Sequence, residues 1–376
     1  MRGLMLLALV LGTPQPAAAA ATPPPPLPIP PVSAAPSKPR LMAYAPTPTE
    51  FACAQGQARL VEGAPLLNRS STDWTPPSAE VYAAPRQRLT FGVDADGRVI
   101  DLKRDGAWSR EEQLAVVASW RFAPGAAASG CALDLVPTVT PLDAASPARL
   151  MEAMIAEGRA STTELRKALD GLGDCAGPPR RRPRLIAYPD TRAFDDRTVD
   201  PSWAGLTYDI DADGGVRNVV IVTQHGEQAF ADTVAAALTE SRYLPGAPRH
   251  GCYSVFKAQP KASPPTQKPK AKAFERPGDD CDLKLAAMNL NPQELSRYYP
   301  PAYAPRRVGG WAVVRFDVAP WGQVGNVELI TAQPTAAFGA SALNVVRSAQ
   351  PKSPPHGYRG CVIPVIFALP AAEGEW

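Results

Sequence analysis

The stretch Leu206-Thr-Tyr-Asp-Ile-Asp-Ala-Asp-Gly214-Gly-Val216 contains the pattern that predicts the fold of the chain. Apolar side chains alternate at Leu206, Tyr208 and Ile210, which is typical of a half-buried strand. Asp213-Gly214 then supplies a tight turn in which the glycine adopts a positive φ, and a second strand follows. The sequence therefore predicts a β-hairpin here, and the same pattern recurs at residues 89–99 and 314–324.

Each hairpin is followed by a helical pattern and then by a Gly-Cys dipeptide that opens another apolar strand. Ser109 and Glu112 are spaced as a capping box before the first helix. A unit of hairpin, helix and strand that recurs three times predicts an α+β fold of three tandem small modules. The apolar residues at helical spacing are Leu114, Val117 and Trp120, then Phe230, Val234, Ala237 and Leu238, then Phe338, Ala342, Val345 and Val346.

Six cysteines follow the same period. Two of them bracket each module, at separations of 78, 77 and 80 residues. Six cysteines permit 15 pairings, but the repeat favours one of them, with one disulfide closing each module. A closed loop of ~80 residues stabilises a small core by roughly 4 kcal/mol, and it indicates an oxidising compartment. The predicted pairs are Cys53–Cys131, Cys175–Cys252 and Cys281–Cys361.

The start of the chain reads as an export signal. Met1 and Arg2 give a positive start, and the apolar run at residues 4–11 is too short to span a bilayer. An uncleaved inner-membrane anchor remains the alternative. The predicted segments are a signal peptide at 1–21, a proline-rich, disordered or polyproline-like linker at 22–48, a first module at 49–143, a helical connector at 144–172, a second module at 173–258, a Pro/Lys-rich linker at 259–278 and a third module at 279–370.

Composition and motifs argue against several classes of function. A net charge of +3 is too balanced to indicate a nucleic-acid partner. The histidines, His225, His250 and His356, stand in no nucleophile or metalloprotease motif, so we predict surface loop positions for them. The sequence therefore predicts no enzyme, no cofactor, no metal site and no small-molecule substrate.

Three local patterns are similar to known functional motifs, but in each case the surrounding residues favour a purely structural interpretation. Residues 209–214 resemble the start of a calcium loop, but Val220 stands where a bidentate glutamate is needed, so a hairpin turn is favoured. Arg180-Arg-Arg182 could contact a polyanion, although beside two prolines it reads as a solvated loop. Trp376 is terminal, as in outer-membrane barrels, but no strand alternation precedes it.

The repeated residues resemble the TonB C-terminal domain family. The third module is the most similar, through Tyr299-Pro300, Val314-Arg-Phe-Asp-Val318, the stretch from Gly322 to Val327, and Val362-Ile-Pro-Val-Ile-Phe367. The resemblance implies a periplasmic domain that engages an extended peptide of outer-membrane transporters and transmits energy from the inner membrane. Three modules, a cysteine pair in each and the lack of an evident anchor depart from that family, which leaves protein binding as the expected function.

Two functional hypotheses follow from the modules. In the first, an outer-membrane TonB-dependent transporter or another envelope protein adds a strand along residues 362–369, where Pro364 suits a sheet edge. In the second, the chain is a structural envelope scaffold without a role in transport. The predicted partner-binding residues are Tyr299, Pro300, Val362, Ile363, Val365, Ile366 and Phe367.

We predict that a peptidase removes the signal near residues 19–21, because small residues follow the short apolar run. Mass spectrometry of the protein from cells should find a mature N-terminus there. Recovery of intact residues 1–11 in the inner membrane would instead indicate an anchored transducer.

Overall fold

Within the described residues, three small antiparallel sheets and five α-helices form the framework of this α+β protein. The computed structural model describes residues 39–44, 48–63, 69–71, 87–105, 111–125, 127–135, 138–157, 161–281, 288, 296–354 and 356–369. The signal at 1–21, Ser109 of the capping box and Trp376 lie outside the described residues. All described residues belong to one unit, Ser37–Trp376.

The predicted hairpins, helices and last strands occur in the predicted order, among further short strands that the sequence did not predict. The helices are α1 Glu111–Ser119, α2 Pro147–Glu157, α3 Thr163–Asp170, α4 Gln228–Glu240 and α5 Ala336–Ser348. The strands are β1 Arg40–Ala43, β2 Glu50–Ala52, β3 Gln57–Glu62, β4 Arg69–Ser71, β5 Gln87–Val93, β6 Val99–Asp105, β7 Arg121–Phe122, β8 Ala128–Leu135, β9 Thr138–Pro141, β10 Pro183–Leu185, β11 Trp203–Ile210, β12 Val216–His225, β13 Arg242–Tyr243, β14 Arg249–Lys257, β15 Gly310–Val318, β16 Val324–Gln333 and β17 Tyr358–Phe367.

The three main sheets have the same strand order. The first sheet is β6-β5-β8, the second is β12-β11-β14 and the third is β16-β15-β17. In each, a hairpin is followed by a helix, and the last strand returns beside the first strand of the hairpin. The hairpins, helices and last strands that the sequence predicts are therefore present at all three places.

The hairpin turns depend on a left-handed glycine. Gly214 has φ +89°, and a Cβ there would collide with the carbonyl oxygen of Tyr243. Four residues later, each second strand contains Asp or Asn at positive φ, which these side chains tolerate better than most, and the register shifts nearby. These bulge residues are Asp101, Asn218 and Asn326, with φ of 51°, 52° and 49°.

An aspartate of the first hairpin strand braces this bulge. In the second sheet, Asp209 accepts hydrogen bonds from Asn218 Nδ2 at 2.8 Å and from the backbone N–H of Gly251 at 3.0 Å. These donors, the Asn218 amide foremost, hold the pKa of the Asp209 carboxyl below its ordinary value. The same contacts, each 2.7 Å long, join Asp317 to Asn326 and to Gly360 in the third sheet.

The three predicted disulfides are confirmed. Cys53–Cys131, Cys175–Cys252 and Cys281–Cys361 are bonded, with Cα atoms 3.9, 5.2 and 5.0 Å apart. In each pair the second cysteine, next to the Gly of Gly-Cys, is buried. The bond therefore attaches the segment that precedes each hairpin to the last strand of the same sheet.

The first and third sheets share one hydrophobic core. Trp120 and Phe122 from the first part of the chain belong to the same buried cluster as Phe316 and Phe338. Hydrogen bonds extend this contact along the surface. The backbone N–H of Leu102 donates to the carbonyl of Pro334 at 2.9 Å, and Asp101 exchanges two 2.8 Å hydrogen bonds with the Gln333 amide.

The second sheet has a core of its own and a helical cover. Phe230 and Val234 of α4 pack on one face with Leu206 and Ile210. On the other face, Met151 of α2 and two leucines of α3 pack beside Val222, Tyr253 and Val255. The predicted helical connector at 144–172 thus contains two helices, since Thr162 starts the second by accepting a hydrogen bond from the Leu165 N–H.

Parts of both predicted linkers have defined structure. Arg40–Ala43, inside the segment 22–48, form strand β1 between β4 and β9, so these residues are not polyproline-like. Inside the segment 259–278, Ser263 exchanges backbone hydrogen bonds with Arg307 and Gly309. Among the described residues, no helix has the length and apolar character required to cross a bilayer.

We expect Phe316→Ala to destabilise the first and third sheets together, because Phe316 is fully buried in their common core. The free energy of unfolding should fall by about 3–5 kcal/mol. Hydrogen exchange should become faster in β5 and β8 as well as in β15 and β17. Phe230→Ala is the matched control, since Phe230 is equally buried in the second core. It should accelerate exchange in β11 and β14 instead. Unchanged exchange in β5 and β8 of Phe316→Ala would contradict a shared core.

Candidate functional site at the edge of the third sheet

Strand β17 is an edge strand, since within the described residues its one strand partner is β15. Pro364 lies opposite Val313 in this ladder. Proline has no N–H to donate, so it fits where the backbone faces away from β15. Because the backbone alternates along an antiparallel strand, the N–H groups of Val362 and Ile366 also face the free edge.

Side chains also alternate along β17, and from Cys361 onward those at odd-numbered positions enter the core. Ile363, Val365 and Phe367, all predicted to bind a partner, are 3%, 3% and 2% exposed. They belong to the core under α5, so in this conformation their side chains do not reach a partner. Ile366, by contrast, is 36% exposed.

Tyr299 and Pro300 pack against the core-facing side of β17. The Tyr299 ring lies 5.9 Å from that of Phe367 and 6.2 Å from that of Phe338, edge-on to both, and Pro300 is buried. Burial raises the pKa of the Tyr299 hydroxyl, which donates a hydrogen bond to the carbonyl of Val308. The structure therefore places both residues in packing roles behind β17, while half-buried Val362 stays on the outer face.

An aspartate caps the beginning of this edge, at Arg359. The backbone N–H of Asp280 donates to the Arg359 carbonyl at 3.2 Å, and the Asp280 carboxylate accepts from the Arg359 N–H at 2.6 Å. Asp174 makes the same pair of contacts with His250 in the second sheet, at 3.0 and 2.7 Å. In the third sheet the backbone positions from Val362 onward remain beyond this cap.

Residues 266–279, from the predicted linker and the first residue of the predicted third module, cover the outer face of the third sheet. Trp311 Nε1 donates to Thr266 Oγ1 at 3.0 Å, and Arg315 forms an ion pair with Asp279. Hydrogen bonds from Arg315 hold the pKa of the Asp279 carboxyl below its ordinary value. Between these contacts, residues Ala271–Phe274 lie next to β17, and no backbone hydrogen bond of the described chain joins the two.

Tyr303 fixes the third sheet to α1. Its hydroxyl donates to Glu111 Oε1 at 2.7 Å and accepts from Thr335 Oγ1 at 2.8 Å. Its ring packs edge-on to Phe338 at 4.9 Å. Burial, with the nearby Glu111 charge, raises the pKa of Tyr303, so the phenol stays protonated and keeps donating.

A cluster of charges separates the second sheet from the third. Arg307 forms an ion pair with Asp196, and Arg306 is 8% exposed. Burial lowers the pKa of Arg306 to about 10. Burial, and then the nearby Arg306 charge, lower the pKa of Lys257 to about 7, which Asp200 partly offsets. The contact therefore contains cations that are costly to desolvate.

The prediction of loop positions for the histidines was wrong for His225 and His250, which lie in strands β12 and β14. His225 Nε2 is 2.7 Å from Asp200 Oδ2, and its ring stacks on Trp203 at 5.6 Å. The Asp200 hydrogen bond raises the pKa of His225. Neither partner adjoins His225 in sequence, so no local pattern signals this contact. His356 is exposed, as predicted.

The calcium-like stretch forms the predicted hairpin turn. The Gly214 N–H donates to the Asp211 carbonyl at 3.0 Å, and Asp209 is committed to the brace described above. Within the part of the chain that the structure describes, no three His, Cys, Asp or Glu side chains converge as metal ligands.

The edge of β17, its supporting tyrosines and helix α5 lie in one continuous stretch, and this stretch matches known proteins. Residues 296–370 match the family model of the Gram-negative bacterial TonB protein C-terminal. This TonB C-terminal-type region includes β15, β16, α5 and β17, and the TonB family is associated with the cell envelope. The first and second sheets lie outside the matched residues. No curated protein matches the chain significantly.

Several residues that shape this site escaped the sequence analysis. The Asp-Cys dipeptides at Asp174 and Asp280 could have revealed the edge cap, because both stand at the same place relative to a module. Tyr303 and Arg306 offer no comparable signal. Their roles depend on partners that the fold brings in from distant parts of the chain.

We predict that Lys257 makes stability depend on pH. Its pKa is about 7 when folded and 10.5 ordinarily, so between these values the unfolded chain binds more protons. The free energy of unfolding should therefore rise as pH increases from about 7 to about 10.5. Urea titrations across this range should show that Lys257→Met reduces the rise. Lys261→Met, which removes an exposed lysine nearby, should leave it unchanged. An equal slope in Lys257→Met would contradict the assignment.

Proposed function

We propose that the chain is a non-enzymatic periplasmic protein that binds an extended segment of an outer-membrane transporter, or of another envelope protein, along the free edge of β17. The observation that carries this proposal is an open strand edge inside the region that matches the TonB C-terminal family. An unpaired edge presents N–H and C=O groups in the spacing that an added strand requires.

The features of β17 support recognition through the main chain. Four of its side chains, those of Cys361, Ile363, Val365 and Phe367, are buried, so they do not contact the partner. Val362 and Ile366 offer the outward N–H groups, and Pro364 offers a carbonyl alone. An added strand would run beyond the Asp280 cap and beside Ala271–Phe274.

We further propose that the three sheets are copies of one ancestral module. Their strand order, their disulfides and the positive φ of Gly130, Gly251 and Gly360 support this interpretation. Binding is assigned to the third copy, because it alone lies in the family match. The other copies differ in their last strands: β8 forms backbone hydrogen bonds with residues 54–55, whereas β14 carries the same aspartate cap as β17. They serve as supports for the third.

The proposed location rests on the export signal and the disulfides, which persist in an oxidising compartment. Strand addition requires no cofactor, small-molecule substrate or nucleic acid. Coupling to an inner-membrane motor would need an anchor. We therefore propose protein binding as the function, and we add energy transduction only for a chain that retains its signal as an anchor.

We expect Ile366→Pro to abolish capture of the envelope partner, because it removes an outward N–H and leaves the ladder to β15 intact. Ile366→Val keeps this N–H and should bind as the parent does. The assay is affinity capture from envelope extract with identification by mass spectrometry, after circular dichroism has shown that each variant folds.

A matched control places the same change on another edge. Asp134 of β8 occupies the ladder position of Pro364, since it pairs with Arg88 as Pro364 pairs with Val313. Asp134→Pro should therefore leave capture unchanged. If folded Ile366→Pro still captured the partner, strand addition at β17 would be wrong. If the parent captured no transporter or other discrete protein, the structural scaffold would be the better function.

A further inference from the structure

A second surface, far along the chain from β17, exposes large apolar side chains. Within residues 180–188, which we call the basic–apolar strand, Leu185, Ile186 and Tyr188 are 54%, 38% and 81% exposed. Leu244, 45% exposed, lies alongside, because its N–H donates to the Arg182 carbonyl at 2.9 Å. Four of the eight exposed large hydrophobic residues of the described chain thus gather at this one place.

The same strand carries uncompensated positive charge. Arg180, Arg182 and Arg184 are exposed, and among the described residues none of them forms an ion pair. Residues 176–189 contain no acidic side chain. The next one, Asp190, is paired with Arg192 at 2.7 Å. Nothing nearby along the chain neutralises the three arginines.

The basic–apolar strand is also fixed in place. Arg181, the one inward arginine, donates to the carbonyls of Ala247 at 2.8 Å and Asp211 at 3.2 Å. The N–H of Ala187 donates to Ser241 Oγ at 3.1 Å, and β10 pairs with β13. The exposed side chains are therefore displayed by an anchored backbone, which lowers the entropy lost when a surface binds them.

We propose that the basic–apolar strand and Leu244 form a contact surface for an anionic lipid bilayer. Arginines are attracted to lipid phosphates, and adjacent apolar and aromatic side chains enter the boundary between headgroups and acyl chains. A soluble polyanion would use the arginines and leave the four apolar side chains in water. The combination on one rigid strand favours a membrane surface. This contact is independent of β17 and would hold the protein beside a membrane while β17 stays free.

The test is cosedimentation of the full chain with vesicles made of equal parts phosphatidylcholine and phosphatidylglycerol. Arg180→Gln/Arg182→Gln/Arg184→Gln should weaken binding about 100-fold. Leu185→Ser/Ile186→Ser/Tyr188→Ser should weaken it about tenfold. The charge-matched control, Lys268→Gln/Lys270→Gln/Lys272→Gln, removes three exposed cations that have no exposed large apolar neighbour, and it should bind as the parent does.

Each outcome decides the proposal. Loss in both strand variants with retention in the lysine control supports it, provided that vesicles of pure phosphatidylcholine bind weakly. Equal loss in the lysine control would show that net charge alone determines vesicle binding, which would overturn the proposal. Loss in the arginine variant alone, together with parental binding to soluble polyphosphate, would indicate a polyanion site instead. Absence of parental binding to the anionic vesicles, or binding that no strand variant weakens, would also overturn it.

Discussion

The rest of the structure depends on the left-handed glycine that precedes a buried cysteine in the last strand of each sheet. Gly251 and Gly360 have φ of 65° and 66°, and a Cβ at Gly360 would collide with the carboxylate of Asp279. In the second and third sheets the bulge turns the glycine N–H toward the brace aspartate and the next side chain toward the core. The cysteine can therefore reach its partner in the preceding segment, and in the second and third sheets that segment also supplies the aspartate that caps the edge.

A three-stranded sheet has two faces to bury, and the helix of each sheet covers only one of them. The second sheet is completed by α2 and α3, which lie between the first and second sheets in sequence. The third is completed by residues 263–281, a proline-rich segment whose one regular element is the short 3-10 helix Ala271–Phe274. Segments that join modules therefore act as a second layer. The Arg307–Asp196 ion pair beside the second sheet adds little net stability, but a shifted docking would leave buried Arg307 without its partner, which favours one orientation.

Much of the fold was predictable where the sequence repeats itself. Alternation around Leu206, the Asp-Gly turns and the cysteine period predicted the hairpins, last strands and disulfides, because these depend on neighbours in the chain. The edge character of β17 was predictable from Pro364. The packing between sheets was not, since Tyr303, Leu102 and His225 contact residues that no period relates to them. For the candidate site, inspection of alternation within β17 could have shown that Ile363, Val365 and Phe367 face inward.

The core common to the first and third sheets has a consequence for the time course of synthesis. Asp101 and Gln333, which meet at that boundary, are 232 positions apart, and the whole second sheet is made between them. At about 5–20 residues per second, the first sheet waits tens of seconds before its partner emerges. During this delay the apolar surface around α1 faces solvent, while the second sheet can fold on its own core. Such long-range closure is slow, so that surface is open to aggregation until the third sheet packs against it.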